Sequence, residues 1–196
     1  IGGDGDAYGI GLNHLIHSMR RNLDLTYIVC NNQIYGLTTG QTSPTSEQGF
    51  KTKSTPEGVI ESPINPIALA IASNASFVAR GFAGNTNHLK DLIAKGIKHK
   101  GFSLIDVFQP CVTFNHKNTF DWFEKKVYDL QKANHNPASK DAALKKAFET
   151  NKLGIEVFFE SKIPVYENQL VQLSKKPLVK QEMSNINIQD LIEKLS

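Results

Sequence analysis

Cysteine is scarce. The 196 residues hold two, Cys30 and Cys111, 81 positions apart and in no Cys-x-x-Cys pair. Two thiols do not build a disulfide framework or a four-cysteine zinc centre. Cys30 reads as a small buried hydrophobe on a strand. Long apolar runs are also missing. The longest, Ile64 to Ala72, is interrupted by Asn65 and Pro66, far short of the ~20 residues of a membrane-spanning helix. No membrane association is expected. Charge of one sign is lacking too: 22 Lys and Arg against 19 Asp and Glu leave +3. That small, scattered excess gives no reason to expect a nucleic-acid partner. Six histidines show no metal spacing except His14 and His17 on one helix, and no further ligands accompany them. The start has neither the basic nor the apolar region of a secretory signal. It also lacks Met and opens inside a motif, so a truncated piece of a longer, cytoplasmic polypeptide is expected.

What is present suits a globular domain: 40% hydrophobic and 21% charged residues. Ala7 to Arg21 reads as a helix, with Ile10, Leu15, Ile16 and Met19 spaced mostly by three or four. Leu25 to Cys30 is a continuous apolar run, as in a buried parallel strand. Thr38 to Thr55 is a Thr, Ser, Gly and Gln-rich loop. Asn65 to Ala75 is a helix opened by Pro66, and Phe77 to Gly81 a strand. His88 to His99 is an amphipathic helix presenting Leu89, Leu92, Ile93 and Ile97. Phe102 to Phe108 is another buried strand. Strands alternating with helices predict an α/β fold, a doubly wound, mostly parallel sheet. Downstream, Trp122 to Ala133 and Asp141 to Thr150 have helical character. Ile155 to Glu160 reads as an edge strand or hairpin arm. The polar tail from Leu170 to Ser196 ends in a helix, Ile188 to Leu195, expected to dock elsewhere. The expected division is a cofactor domain over 1–112 and an α+β extension over 113–196.

Two short pieces carry the chemistry. Gly3-Asp4-Gly5-Asp6 ends the first strand, and Asn31-Asn32 ends the next. Read singly, the first is a turn and the second a strand-end cap. Read together, they put a carboxylate, an amide and glycines at one edge of a sheet, where open α/β folds bind ligands. Helix N–H groups beside the glycines favour phosphate. Asp4 and Asn32 offer hard oxygens to Mg²⁺.

The pattern Gly-Asp-Gly, some 25 residues, then Asn-Asn resembles the thiamine-diphosphate fingerprint. The wider text is closer to one family. Gly3-Asp-Gly-Asp6, Arg20-Arg21-Asn22, Asn31 to Gln41, Ser43-Pro-Thr45, Gln109-Pro-Cys111 and Lys162 to Glu167 resemble the β subunit of 2-oxoacid:ferredoxin oxidoreductases. The resemblance covers residues 1 to about 167. It implies a thiamine-diphosphate-binding fold of the pyrophosphate type. Mg²⁺ would be held by the Asp4 carboxylate, the Asn32 side chain and the Ile34 carbonyl. Gly3, Gly5 and Asp6 would join the cofactor turn, and Tyr35, Gly36, Leu37 and Thr38 would border diphosphate and thiazolium. Cys111 would be the fourth ligand of a 4Fe–4S cluster whose other three cysteines lie upstream. Thr39 stands where several members that take 2-oxoglutarate or a broad substrate set have lysine, so a second substrate carboxylate lacks its cation.

The implied reaction is oxidative decarboxylation of a 2-oxoacid to acyl-CoA and CO₂, with electrons passing through the cluster to ferredoxin. The implied partners are ferredoxin, coenzyme A and an α subunit that holds the pyrimidine-binding half. No residue is assigned as a catalytic base, because the cofactor's aminopyrimidine does that work. Two alternatives stand beside this: a non-redox decarboxylase or synthase of the acetolactate type, and an inactive truncated fragment.

Overall fold

The hydrophobic pattern resolves into strands alternating with helices in the computed structural model, which describes residues 1–182 and 187–195. In chain order these are β1 (Gly2–Gly3), α1 (Leu12–Arg21), β2 (Thr26–Asn31), α2 (Pro66–Ala72), β3 (Phe77–Phe82), α3 (Thr86–Lys98) and β4 (Ser103–Phe108). Then come α4 (Phe120–Lys126), β5 (Val127–Asp129), α5 (Lys140–Ala147) and β6 (Leu153–Glu160). The six strands form one sheet in the order β1-β2-β4-β3-β6-β5. The first four run parallel, β6 is antiparallel to β3, and β5 runs parallel to β6.

The central strands are largely apolar because both their faces are covered. Every residue of β3 and β4 is buried. One face packs Val29, Val78 and Leu104 with Leu15 and Met19 of α1, Ile67 and Ile71 of α2, and Ala143 of α5. The other packs Phe77, Ala79, Ile105 and Val107 against Leu92 of α3. Asn22 closes α1 in the left-handed conformation, φ 52°. Its side-chain oxygen accepts from the Phe102 amide at 2.8 Å and the Ser76 hydroxyl at 2.6 Å. The Arg-Arg-Asn text is thus a helix end bolted to the sheet.

Several expectations are corrected. The helix expected over Ala7 to Arg21 breaks. Asp6–Ile10 is a wide π-type turn with Gly9 off helical angles, and α1 begins at Leu12. Gly11 allows this: its N–H donates to the Asp6 carbonyl, and a Cβ there would lie 2.3 Å from that oxygen. Ile10, expected on the apolar face, is consequently 92% exposed. Strand β2 is only partly buried, and Cys30 with it, because β1 pairs with Val29 and Cys30 alone. Gly96, not Ile97, faces the core, since the Ile105 side chain fills the space above that glycine. The helix expected over Trp122 to Ala133 stops at Lys126, where the β-formers Val127 and Tyr128 pair with β6. Strand β6 is interior rather than an edge, lying between β3 and β5. Two compact units are present, Ile1–Tyr166 and Glu167–Ser196.

Within the second unit, three single 3₁₀ turns precede α6 (Gln189–Glu193). Gln181 Nε2 ties two of its loops, donating to the carbonyls of Gln172 and Lys176. Residues 183–186 and 196 of the expected 170–196 tail lie outside the described residues.

Candidate cofactor site

The parallel register fixes the site. Gly3 stands opposite Cys30, so Asp4 leaves β1 beside the place where Asn31 and Asn32 leave β2. Both ends lie at the carboxyl edge of the sheet. Asp4 is buried, 2% exposed. Two hydroxyls converge on its Oδ2: Ser43 Oγ at 2.5 Å and Thr45 Oγ1 at 2.7 Å. Both come from the loop between β2 and α2. That loop's pairing of Tyr35 with Gln41 and the Ser46 hydroxyl's bonds to the Ser43 N–H and Gln33 carbonyl hold it in place. Among the described residues, no Lys, Arg or His makes an ion pair with Asp4. Burial pushes the Asp4 carboxyl above its ordinary pKa, with nearby Asp106 adding, and the two hydroxyls pull the other way.

Asn31 is the hub of the polar interior. Its Oδ1 lies 2.8 Å from Thr45 Oγ1, and its Nδ2 donates to Asp106 Oδ1 at 3.0 Å. Asp106 also accepts from the Tyr8 hydroxyl at 2.9 Å and from Arg80 Nε at 3.2 Å. The Arg80 guanidinium in turn lies over the Phe108 ring, 4.7 Å from its centroid. Burial, and then the Asp106 charge, raise the Tyr8 phenol well above its ordinary pKa, so it stays neutral and donates.

The remaining expected residues fall as follows. Gly3 N–H donates to the Asp6 carboxylate at 2.9 Å, and Asp6 is exposed. Gly5 is buried beneath the Tyr35 ring, which also lies beside Gly9. Asn32 Oδ1 accepts the Ile34 N–H at 3.1 Å, a side-chain turn at the strand end. Ile34 is buried, Gly36 half-buried, Leu37 fully exposed and Thr38 exposed with its hydroxyl on Gln41. Thr39 is exposed with φ 74°. Cys111 approaches this loop from the end of β4: a Cβ on Gly36 would meet its Sγ at 3.7 Å. A cleft of about 540 Å³ opens beside Thr45 and Asn31 and is lined further by Gln33, Arg80, Phe108 and Trp122.

Sequence reasoning missed Tyr8, Asn31, Ser43, Thr45, Arg80 and Asp106 as one network. The available signal was a charge inside each of two otherwise largely apolar runs, Arg80 and Asp106, since buried charges come paired.

Comparison with known proteins bears directly on this arrangement. Residues 1–107 match the family model described as "Thiamine pyrophosphate enzyme, C-terminal TPP binding domain". Residues 111–175 match the model for the C-terminal part of the pyruvate ferredoxin oxidoreductase β subunit. The chain is 57% identical over 129 residues to the β subunit of a 2-oxoacid:ferredoxin oxidoreductase from Saccharolobus solfataricus, covering 66% of this chain and 42% of that protein. A subunit of the same name from Sulfolobus sp is 47% identical over 178 residues, 87% of this chain and 57% of that one. The solved 2-oxoglutarate:ferredoxin oxidoreductase from Magnetococcus marinus, with 2-oxoglutarate, coenzyme A and succinyl-CoA bound, superposes with a TM-score of 0.88. It is 30% identical, over 99% of this chain and 66% of that chain. The chain thus spans about half the length of the curated relatives it matches. It belongs to the thiamine pyrophosphate enzyme family, through the C-terminal TPP-binding domain, and its relatives there are β subunits of 2-oxoacid:ferredoxin oxidoreductases.

Proposed function

We propose that the chain is the thiamine-diphosphate-binding part of a 2-oxoacid:ferredoxin oxidoreductase β subunit, which converts a 2-oxoacid to acyl-CoA and CO₂. The observation that carries this is the Asp4 carboxylate, buried at a strand end beside Asn31 and Asn32 without a cationic partner among the described residues. An uncompensated buried carboxylate is costly. A divalent ion removes that cost, and the donors at hand suit Mg²⁺. Both hydroxyl bonds end on Asp4 Oδ2, leaving Oδ1. Oδ1, the Asn32 amide oxygen and the Ile34 carbonyl are hard oxygens of the kind Mg²⁺ takes alongside phosphate oxygens.

Bound thiamine diphosphate supplies a nucleophilic carbon and an electron sink for cleaving a carbon–carbon bond. The chain's own residues bind and orient. Gly3, Gly5 and Asp6 form the turn that approaches the diphosphate, and Tyr35, Gly36, Leu37 and Thr38 border it. Thr39 borders the substrate and offers no cation, which leaves the 2-oxoacid unspecified. Two thiols cannot hold a four-thiolate cluster, so the residues of this chain do not fit a 4Fe–4S group by themselves and no step is derived through one. Cys111 is proposed as one ligand of such a cluster completed from outside these residues.

The partners proposed are an α subunit with the pyrimidine-binding half, ferredoxin as acceptor, and coenzyme A, all in the cytoplasm. No described helix is long and apolar enough to cross a membrane. The match of residues 111–175 supports this reading over an acetolactate-type synthase. Melting the chain with and without thiamine diphosphate plus Mg²⁺ tests it. At a hundred times the dissociation constant, binding adds about 2.7 kcal/mol of stability. An unchanged melting temperature at saturating cofactor overturns the proposal. Once the α subunit is present, 2-oxoacid- and coenzyme A-dependent reduction of a viologen dye is the expected activity.

A further inference from the structure

Thr45 lies in a loop without regular structure, yet it is 3% exposed and meets the ends of two strands. Its hydroxyl oxygen is 2.7 Å from Asp4 Oδ2 and 2.8 Å from Asn31 Oδ1. Asn31 is itself fixed, through Nδ2, to an Asp106 held by Tyr8 and Arg80. Asp4 follows a strand of two residues and enters the turn at Gly5. Its side chain is held by the Ser43 and Thr45 hydroxyls.

We infer that Thr45 is a positioning residue, whose hydroxyl donates to Asp4 Oδ2 and so turns the carboxylate's other oxygen toward the metal ion. The inference rests on the cofactor reading above. Ser43 alone pins one point of the carboxylate. Thr45, buried at the strand ends, adds a second bond to the same oxygen. Groups that orient a metal ligand in this way typically contribute 10–100-fold to metal affinity.

The test uses the full chain with thiamine diphosphate and Mn²⁺ as the probe, free Mn²⁺ being read by its paramagnetic resonance signal. Thr45→Val keeps the shape and removes the hydroxyl; Thr45→Ser keeps the hydroxyl and removes a methyl. The expected result is a Mn²⁺ dissociation constant raised roughly 10–100-fold in Thr45→Val and restored to within about threefold of the starting protein in Thr45→Ser. A role in packing alone would do the reverse, because Thr45→Ser loses the methyl and Thr45→Val does not. Should Thr45→Val fail to fold, Thr45→Ala carries the same expectation. Mn²⁺ binding within about threefold of the unsubstituted chain in the hydroxyl-free variant overturns the inference and leaves the cofactor reading standing. Failure of the unsubstituted chain to bind Mn²⁺ with thiamine diphosphate overturns both.

Discussion

Arg80 Nε lies 3.2 Å from Asp106 Oδ2, joining two strands at the middle of the sheet, and both side chains are shut away from water. Such a pair is not itself strong evidence for stability, since desolvation offsets the attraction, but breaking it strands a charge. Arg80→Met should therefore destabilise the chain by about 3–5 kcal/mol in urea denaturation. Adding Asp106→Asn should recover part of that loss. The amide oxygen still accepts from Tyr8 and Asn31, and no unpaired charge remains. A double variant no more stable than Arg80→Met would show that the charge was not what mattered.

The Tyr35 ring and Gly5 are in direct contact. A Cβ on Gly5 would fall 2.0 Å from Tyr35 Cε1. Gly5→Ala must push the ring aside, at a cost of about 1–3 kcal/mol, typical of overpacking. In a Tyr35→Ala background the obstacle is gone, so the same substitution should cost less. A double-mutant cycle measures the coupling, expected at about 0.5–3 kcal/mol. Additive effects would mean that the ring is not what excludes a side chain there.

These contacts mark the boundary of what the sequence makes legible. The order of strands and helices through Phe108 follows from local periodicity, and β2, β3 and β4 appear where apolar runs predict them. Asp4 and the Asn31-Asn32 pair are legible because their spacing implies neighbouring parallel strands. Thr45, Asp106 and Arg80 are not, because their partners are 14, 98 and 26 positions away along the chain. Val127 to Asp129 is misread for a related reason. Its periodicity continues the preceding helix, and only the presence of β6 turns it into a strand.

Cys111 is half-buried at the end of β4, close to Gly36 of the cofactor loop, and has no disulfide partner among the described residues. Cys111→Ser removes the thiol proposed as a cluster ligand while barely changing shape. Stability of the chain should change by no more than about 0.5 kcal/mol, as for a substitution outside the packed core. Iron content of the assembly with its partner chains should fall. Undiminished iron in the variant would remove Cys111 from the ligand set.

Glu156 gives the chain a pH dependence independent of the cofactor site. Its side chain, 9% exposed, meets His88 Nε2 at 3.0 Å and Lys95 Nζ at 2.5 Å. The His88 hydrogen bond is the largest influence; with Lys95 it outweighs burial and lowers the Glu156 pKa from 4.5 to about 2. A carboxyl whose pKa is depressed on folding stabilises the protein above its unfolded value and loses that contribution as pH falls through the folded one. The contribution should be complete above pH 4.5 and vanish towards pH 2. Its size should be on the order of 2–3 kcal/mol. Glu156→Gln cannot titrate, so its stability should be lower at neutral pH and flatter across that window. Parallel pH–stability curves for the two proteins would show that the Glu156 cluster contributes nothing to acid sensitivity.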